Sequence, residues 1–183
     1  MKKLFLLTFF SATLLLTGEL TAQKFSGLDK SPADIASYPT SYKESDKAVR
    51  VIYSRPQLKG RALSELAPSG KVWRTGANEA TEITFYKDAN VGGQDVQAGT
   101  YSMFTIPGEE EWTIILNGNL NQWGAYSYDN AADITRIKAK TSTDSENLEA
   151  FSVAFKEADN GADMVMGWGT TRVEVPMSFS MEQ

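Results

Sequence analysis

Residues 173–179 read VEVPMSF, and this run carries an apolar side chain at every second position. Four other stretches keep the same period of two, namely 49–54 (VRVIYS), 82–86 (EITFY), 112–117 (WTIILN) and 151–156 (FSVAFK). Successive side chains of a β-strand point to opposite faces, so this alternation predicts strands with one buried face. The expected core residues are Ile83, Phe85, Ile114, Leu116, Phe151, Val153, Phe155, Val173 and Val175.

Turn-forming residues separate these runs: Gly92-Gly93, Pro107-Gly108 and Asp159-Asn160-Gly161. Glycine and asparagine tolerate the backbone conformations that tight hairpins require. Several short strands joined by such turns predict an all-β fold. We expect a single antiparallel β-sandwich or flattened barrel over residues 48–183. Short helical turns are expected at two places, 63–66 and 144–148.

Residues 1–22 have the three parts of a secretory signal peptide. Two lysines give a basic start, residues 4–16 form a short apolar stretch, and a small residue precedes a cleavage point ahead of Gln23. The apolar stretch is short for a helix that spans a bilayer. We therefore expect cleavage and a periplasmic or secreted protein. Residues 23–47, which are polar and rich in turns, are expected to form an N-terminal arm.

The charge of the exported chain limits its partners. Loss of residues 1–22 takes the basic residues from 18 to 16 and the acidic residues from 23 to 22, which leaves 161 residues with a net charge of −6. An acidic surface repels phosphate backbones and anionic lipid. We expect no nucleic-acid partner and no membrane insertion after cleavage, and the composition leaves the oligomeric state open.

The chain contains no Cys and no His. Disulfides are therefore excluded, and imidazole is excluded as a general base and as a metal ligand. The sequence also lacks a phosphate-binding glycine loop and a serine-nucleophile elbow. We expect neither a metal nor a cofactor, and any catalysis would depend on carboxylates, Lys, Tyr, Ser or Thr.

Residues 70–81, GKVWRTGANEAT, place several polar side chains around a glycine turn directly before an apolar strand. Two interpretations of this loop are open. Arg74 and Glu79 can form a forked ion pair that stiffens the loop, with Asn78 capping backbone groups. Alternatively, Arg74 and Asn78 bind a polar ligand, and Glu79 accepts a hydrogen bond from it or acts as a base. The structural interpretation is the simpler one. Arg55 and Arg61 are candidates to lie beside the polar side chains of this loop.

The four tryptophans divide into two pairs. Trp112 and Trp168 are in phase with apolar neighbours, which predicts that they lie in the core. Trp73 and Trp123 lack that phase, so they are the candidates for an exposed ring that stacks on a sugar. The ligand-binding residues predicted from the sequence are Arg74, Asn78, Glu79, Trp73, Trp123 and Arg55.

Two further patterns are weaker. Residues 159–163, DNGAD, offer oxygen donors at a spacing that suits calcium in outline, but they lack the distal glutamate of a calcium loop, so a hairpin turn is the better interpretation. Glu79, Glu82 and Asp129 are available to a glycosidase, which needs two carboxylates that converge across a cleft.

Six motifs resemble an uncharacterised family of exported bacterial proteins, domain-of-unknown-function family twenty-nine-eleven. The motifs are YSRP at 53–56, KGR at 59–61, the run at 71–81, GTYSMFTIPG at 99–108, EWT at 111–113 and QWG at 122–124. The resemblance covers about residues 31–177, with Ser54 where the family usually has glycine. It implies export and a β-rich domain, and it assigns no catalytic residue.

Three functions remain open at this point. The favoured one is a non-catalytic exported domain that binds a small polar or sugar-like ligand at the Arg74–Glu79 loop. The second is a hydrolase or lyase that depends on carboxylates, which the absence of His and Cys disfavours. The third is a scaffold protein of the cell envelope whose polar loop is only a structural clamp.

Overall fold

The computed structural model describes residues 23–180, so the expected signal peptide lies outside the described residues. The chain in this range forms nine strands, one short α-helix, α1 (Leu63–Leu66), and one 3-10 turn (Asn130–Ala132). The strands are β1 (Ala33–Tyr38), β2 (Val49–Ser54), β3 (Thr81–Phe85), β4 (Ala89–Val91), β5 (Gln94–Val96), β6 (Gly99–Ile106), β7 (Glu111–Asn117), β8 (Asp133–Ala158) and β9 (Gly161–Phe179).

The strands form one antiparallel sheet in the order β1-β2-β3-β6-β7-β8-β9-β4-β5, which does not close. The predicted all-β fold and the antiparallel pairing are confirmed. Strand β1 lies inside the segment expected to form the N-terminal arm, and it pairs with β2 at one edge of the sheet.

Strand β8 joins two halves of this sheet. Its first part pairs with β7 and its second part, from Thr141 onward, pairs with β9. Tyr53 of β2 meets Phe151 of β8 with ring centroids 5.7 Å apart, and Tyr38 of β1 stacks on Phe179 of β9 at 5.8 Å. The two halves therefore face each other, and the core lies between them.

The predicted core is confirmed at eight of its nine positions, which are buried. Phe155 is half-buried and packs at the rim, 6.4 Å from the ring of Tyr38. Strand β7 is buried on both faces, because Ile115 faces outward into a second, smaller apolar cluster with Phe104 and Ala80. Two loops, at 72–80 and 118–132, cover this outer face.

Four aromatic side chains form the centre of the main core. Trp73 stacks on Trp168 with centroids 5.5 Å apart and meets Trp112 and Phe151 edge-to-face at 6.0 and 5.2 Å. The core positions of Trp112 and Trp168 are confirmed. The expectation that Trp73 is exposed is wrong, because the segment before β3 pairs with β6 and turns this ring inward.

Of the two expected helical turns, the one at 63–66 is confirmed as α1. The one at 144–148 is wrong, because β8 runs through this segment with shifts in its register. Arg172 of β9 donates to the Glu146 carbonyl (2.8 Å) and approaches the Asp144 carboxylate (3.4 Å). These tertiary contacts hold the segment extended where the local sequence favours a helical turn.

Candidate functional site

Residues 70–81 form a loop that is fixed at both ends. The Trp73 N–H donates to the Thr105 carbonyl (2.7 Å), and the Thr105 N–H donates back (2.9 Å), so the loop begins beside β6. At the other end, the Thr81 N–H donates to the Arg74 carbonyl (3.1 Å). Six residues therefore lie between two positions that are hydrogen-bonded to each other, which holds the loop in one shape.

The second half of the loop lies against the segment 122–124. The Ala80 N–H donates to the Gln122 carbonyl (2.8 Å), and Glu79 and Trp123 face each other in an isolated antiparallel bridge. The structure thus brings together two of the predicted site residues, Glu79 and Trp123, which are 44 positions apart in the sequence.

Asn78 has a positive φ of 60°, and its carbonyl accepts from the Gly124 N–H (2.9 Å). Left-handed backbone at a residue other than glycine costs free energy and is enriched at functional sites. The side chain of Asn78 approaches Asp29 of the N-terminal arm. The pKa of that carboxyl is lowered, first by the Ser31 N–H and then by Asn78. The arm therefore passes beside the loop.

Arg74 is the unusual member of the loop. Its Nε is buried without a hydrogen-bond partner, and the guanidinium makes no hydrogen bond or ion pair with any other described residue. The Arg74–Glu79 ion pair, which was the simpler interpretation of the sequence, is therefore not formed. Glu79 is exposed. The Arg74 guanidinium is therefore unpaired in a loop that is otherwise tightly bonded.

Arg55 has a different environment from Arg74. It donates to the Asp34 carboxylate (2.9 Å), the Phe151 carbonyl (3.2 Å) and the Ser152 hydroxyl (2.8 Å). The structure gives Arg55 a structural role, because these bonds tie β1 and the end of β2 to β8. Arg61 likewise donates to two main-chain carbonyls, Leu58 and Gln57.

A polar network that the sequence pattern did not reveal lies beneath the loop at 118–132. Asp133 accepts from the Asn117 amide (2.8 Å), the Tyr128 hydroxyl (2.7 Å) and the Arg136 guanidinium (2.8 Å). Tyr128 also packs edge-to-face on Phe104 at 5.0 Å. Only the pairing of β7 with β8 brings Asn117 to Asp133, so no local sequence signal marked this network.

The Tyr128 hydroxyl should titrate abnormally. Burial and the hydrogen bond to Asp133 raise the pKa of Tyr128 to about 12. The fold favours the neutral phenol of Tyr128. The stabilisation that this phenol gives is fully present below the ordinary tyrosine pKa of about 10, and it is lost as the pH rises through the pKa of Tyr128 in the folded protein. A ¹³Cζ NMR titration, with the signal assigned by its loss in Tyr128→Phe, should give this raised midpoint. A midpoint at the ordinary value would contradict the network.

Four surface clefts of 220 to 860 Å³ lie elsewhere in the described chain, and Arg74, Asn78, Glu79 and Trp123 line none of these four. Among residues 23–180 no three carboxylates come together in a way that would hold a metal ion. In the same range, no helix is both long and apolar enough to cross a membrane.

These features define the class of protein: an all-β domain built on one open antiparallel sheet. The chain belongs to the family described as "Protein of unknown function (DUF2911)", whose model matches residues 31–177. The resemblance seen in the sequence motifs is thereby confirmed. Comparison with curated proteins and with solved structures found no significant match.

Proposed function

We propose that this protein is an exported, non-catalytic domain that binds a small polar or sugar-like ligand at the surface formed by Arg74, Asn78, Glu79 and Trp123. We call this surface the Arg74 site. The observation that carries the proposal is the guanidinium of Arg74, whose Nε is buried and unpaired.

An unpaired buried donor is costly. A buried N–H without a partner costs about 1–3 kcal/mol, and nearly all such groups in native proteins are paired. The protein supplies a partner to each of three donors of Arg55 but none to Arg74. A ligand with carboxylate or hydroxyl oxygens would accept hydrogen bonds from the terminal nitrogens of this guanidinium, which bond to no other described residue.

Trp123 supplies the apolar part of the proposed site. Its side chain is 64% exposed, although the chain buries its three other tryptophans. The bridge to Glu79 holds the backbone of Trp123 beside the loop. An exposed indole beside the exposed residue Glu79 suits a sugar, which has an apolar face and a rim of hydroxyls.

One observation favours binding over catalysis: the chain has no His and no Cys to act as a base or a nucleophile. The export part of the proposal is supported by the pattern of residues 1–22.

The test is a thermal-shift screen of the purified protein against neutral monosaccharides, uronic acids, dicarboxylic acids and nucleotides. A ligand raises the unfolding midpoint by mass action. We expect one class of compound to raise the unfolding midpoint of the wild type. Arg74→Lys should weaken the binding of that compound by about tenfold or more, because lysine keeps the charge but lacks the paired N–H donors of the guanidinium.

Arg50→Lys is the matched control, since Arg50 also has a buried Nε without a partner but lies on β2, over the ring of Tyr86. This variant should bind like the wild type. The proposal fails if no class raises the midpoint, or if Arg74→Lys and Arg50→Lys respond to the ligand equally.

A further inference from the structure

A second polar surface lies away from the Arg74 site, where β8 passes from one half of the sheet to the other. A cleft of about 430 Å³ opens there between α1, the turn after β6 and the crossing of β8. This volume falls within the range of about 300–1,000 Å³ that small-molecule sites occupy. None of the residues of the Arg74 site lines it.

Trp112 forms part of the wall of this cleft. Its side chain is only 3% exposed, and its indole N–H donates to no other described residue. Trp168, by contrast, donates its indole N–H to the Glu149 carbonyl (3.2 Å). Buried tryptophans usually find such a partner, so the N–H of Trp112 is a donor left open beside a cavity. The edge-to-face contact with Trp73 fixes the orientation of the ring.

Hydroxyl groups line the rest of the cleft. Five of them make no hydrogen bond to other described residues, and they belong to Ser64, Ser69, Ser142, Thr143 and Thr171. The antiparallel register places Thr143 opposite Thr171, and the register shifts directly after this pair. The irregular crossing of β8 is therefore what gathers hydroxyls from β8 and β9 at the mouth of the cleft.

The charge of the lining narrows the class of ligand. Glu109 is the only residue among the twelve that line the cleft whose side chain is charged at neutral pH. The 860 Å³ cleft, in comparison, is lined by two aspartates, Asp88 and Asp95. The lining consists of neutral hydroxyls, one free indole N–H and apolar carbon. It matches a neutral molecule that carries many hydroxyls with apolar C–H groups between them.

We infer that the Trp112 cleft binds a neutral polyhydroxylated small molecule of the size of a monosaccharide. This goes beyond the proposed function, because it is a separate site that needs no anionic group. The indole N–H of Trp112 donates a hydrogen bond to one hydroxyl of the ligand. The hydroxyls of Thr143 and Thr171 exchange hydrogen bonds with the adjacent hydroxyls of the ligand.

The test follows the indole N–H signals in ¹⁵N–¹H NMR spectra during titration with neutral hexoses and inositol. The titration extends to about 50 mM, because the binding of neutral sugars is often weak. Trp112→Phe removes one signal and so assigns it. We expect the Trp112 signal to shift with a saturating curve for at least one of these compounds. The same shift should occur in Arg74→Lys, which separates this cleft from the Arg74 site.

Thr171→Val removes one lining hydroxyl at nearly constant volume and should weaken binding by about tenfold. Thr170→Val is the matched control, since Thr170 is exposed, adjacent in sequence and not part of the lining. Thr170→Val should leave the titration unchanged. A Trp112 signal that none of the compounds shifts would overturn the inference, and so would equal affinities for the two valine variants.

Discussion

Replacing Phe151 with alanine should lower the free energy of unfolding by about 3–5 kcal/mol, the range for removing a fully buried aromatic ring. Phe151 is 1% exposed and contacts the rings of Tyr53, Trp73 and Trp168 at 5.7, 5.2 and 6.0 Å. These partners come from both halves of the sheet, so the ring links the two faces of the core. Its main-chain bonds to Pro56 and Arg55 remain in the variant.

Denaturant unfolding monitored by fluorescence measures this loss. Phe25→Ala is the control, because Phe25 is 85% exposed and the same change there should alter stability by less than about 0.5 kcal/mol. A loss below about 1 kcal/mol for Phe151→Ala would mean that the two halves of the sheet do not pack on this ring.

Arg55→Lys should cost about 1–2 kcal/mol, the second largest effect expected. Its guanidinium donates to a carboxylate, a main-chain carbonyl and a hydroxyl at once, and a lysine ammonium cannot reach all three. The loss comes mainly from the Phe151 carbonyl and Ser152, because the ion pair with Asp34 is partly exposed and contributes little.

Asp34→Asn separates these contributions. It removes the ion pair while Arg55 keeps its bonds to β8, so it should cost no more than about 1 kcal/mol. Equal losses for Arg55→Lys and Asp34→Asn would show that the ion pair, rather than the bonds to β8, stabilises this junction.

The strands and most of the core were predictable because they rest on local signals. The period of two at residues 173–179 and in the four similar runs specifies which side chains share a face. Trp73 carries no such local signal, because its orientation depends on pairing with Thr105 across the fold. The helical turn predicted at 144–148 is absent, because Arg172 of another strand holds the backbone extended.

The candidate site was predictable in part. Glycine and polar residues at 70–81 marked the loop, and Trp123 was correctly placed among the exposed rings. The sequence does not decide whether Arg74 pairs with Glu79, because the shape of the loop depends on Thr81 and on the segment 122–124. The hydroxyls around Trp112 are likewise contributed by three distant segments, at 64–69, 141–143 and 171, which only the fold brings together.

The proposed function requires that Arg74 is free for a ligand rather than part of the structure. The direct measurement is the free energy of unfolding of Arg74→Lys without ligand, beside Arg55→Lys. Arg74→Lys should equal the wild type within about 0.5 kcal/mol or exceed it, because it removes an unpaired buried donor. A loss of more than about 1 kcal/mol, equal to that of Arg55→Lys, would show that Arg74 is a structural clamp and would contradict the proposed site.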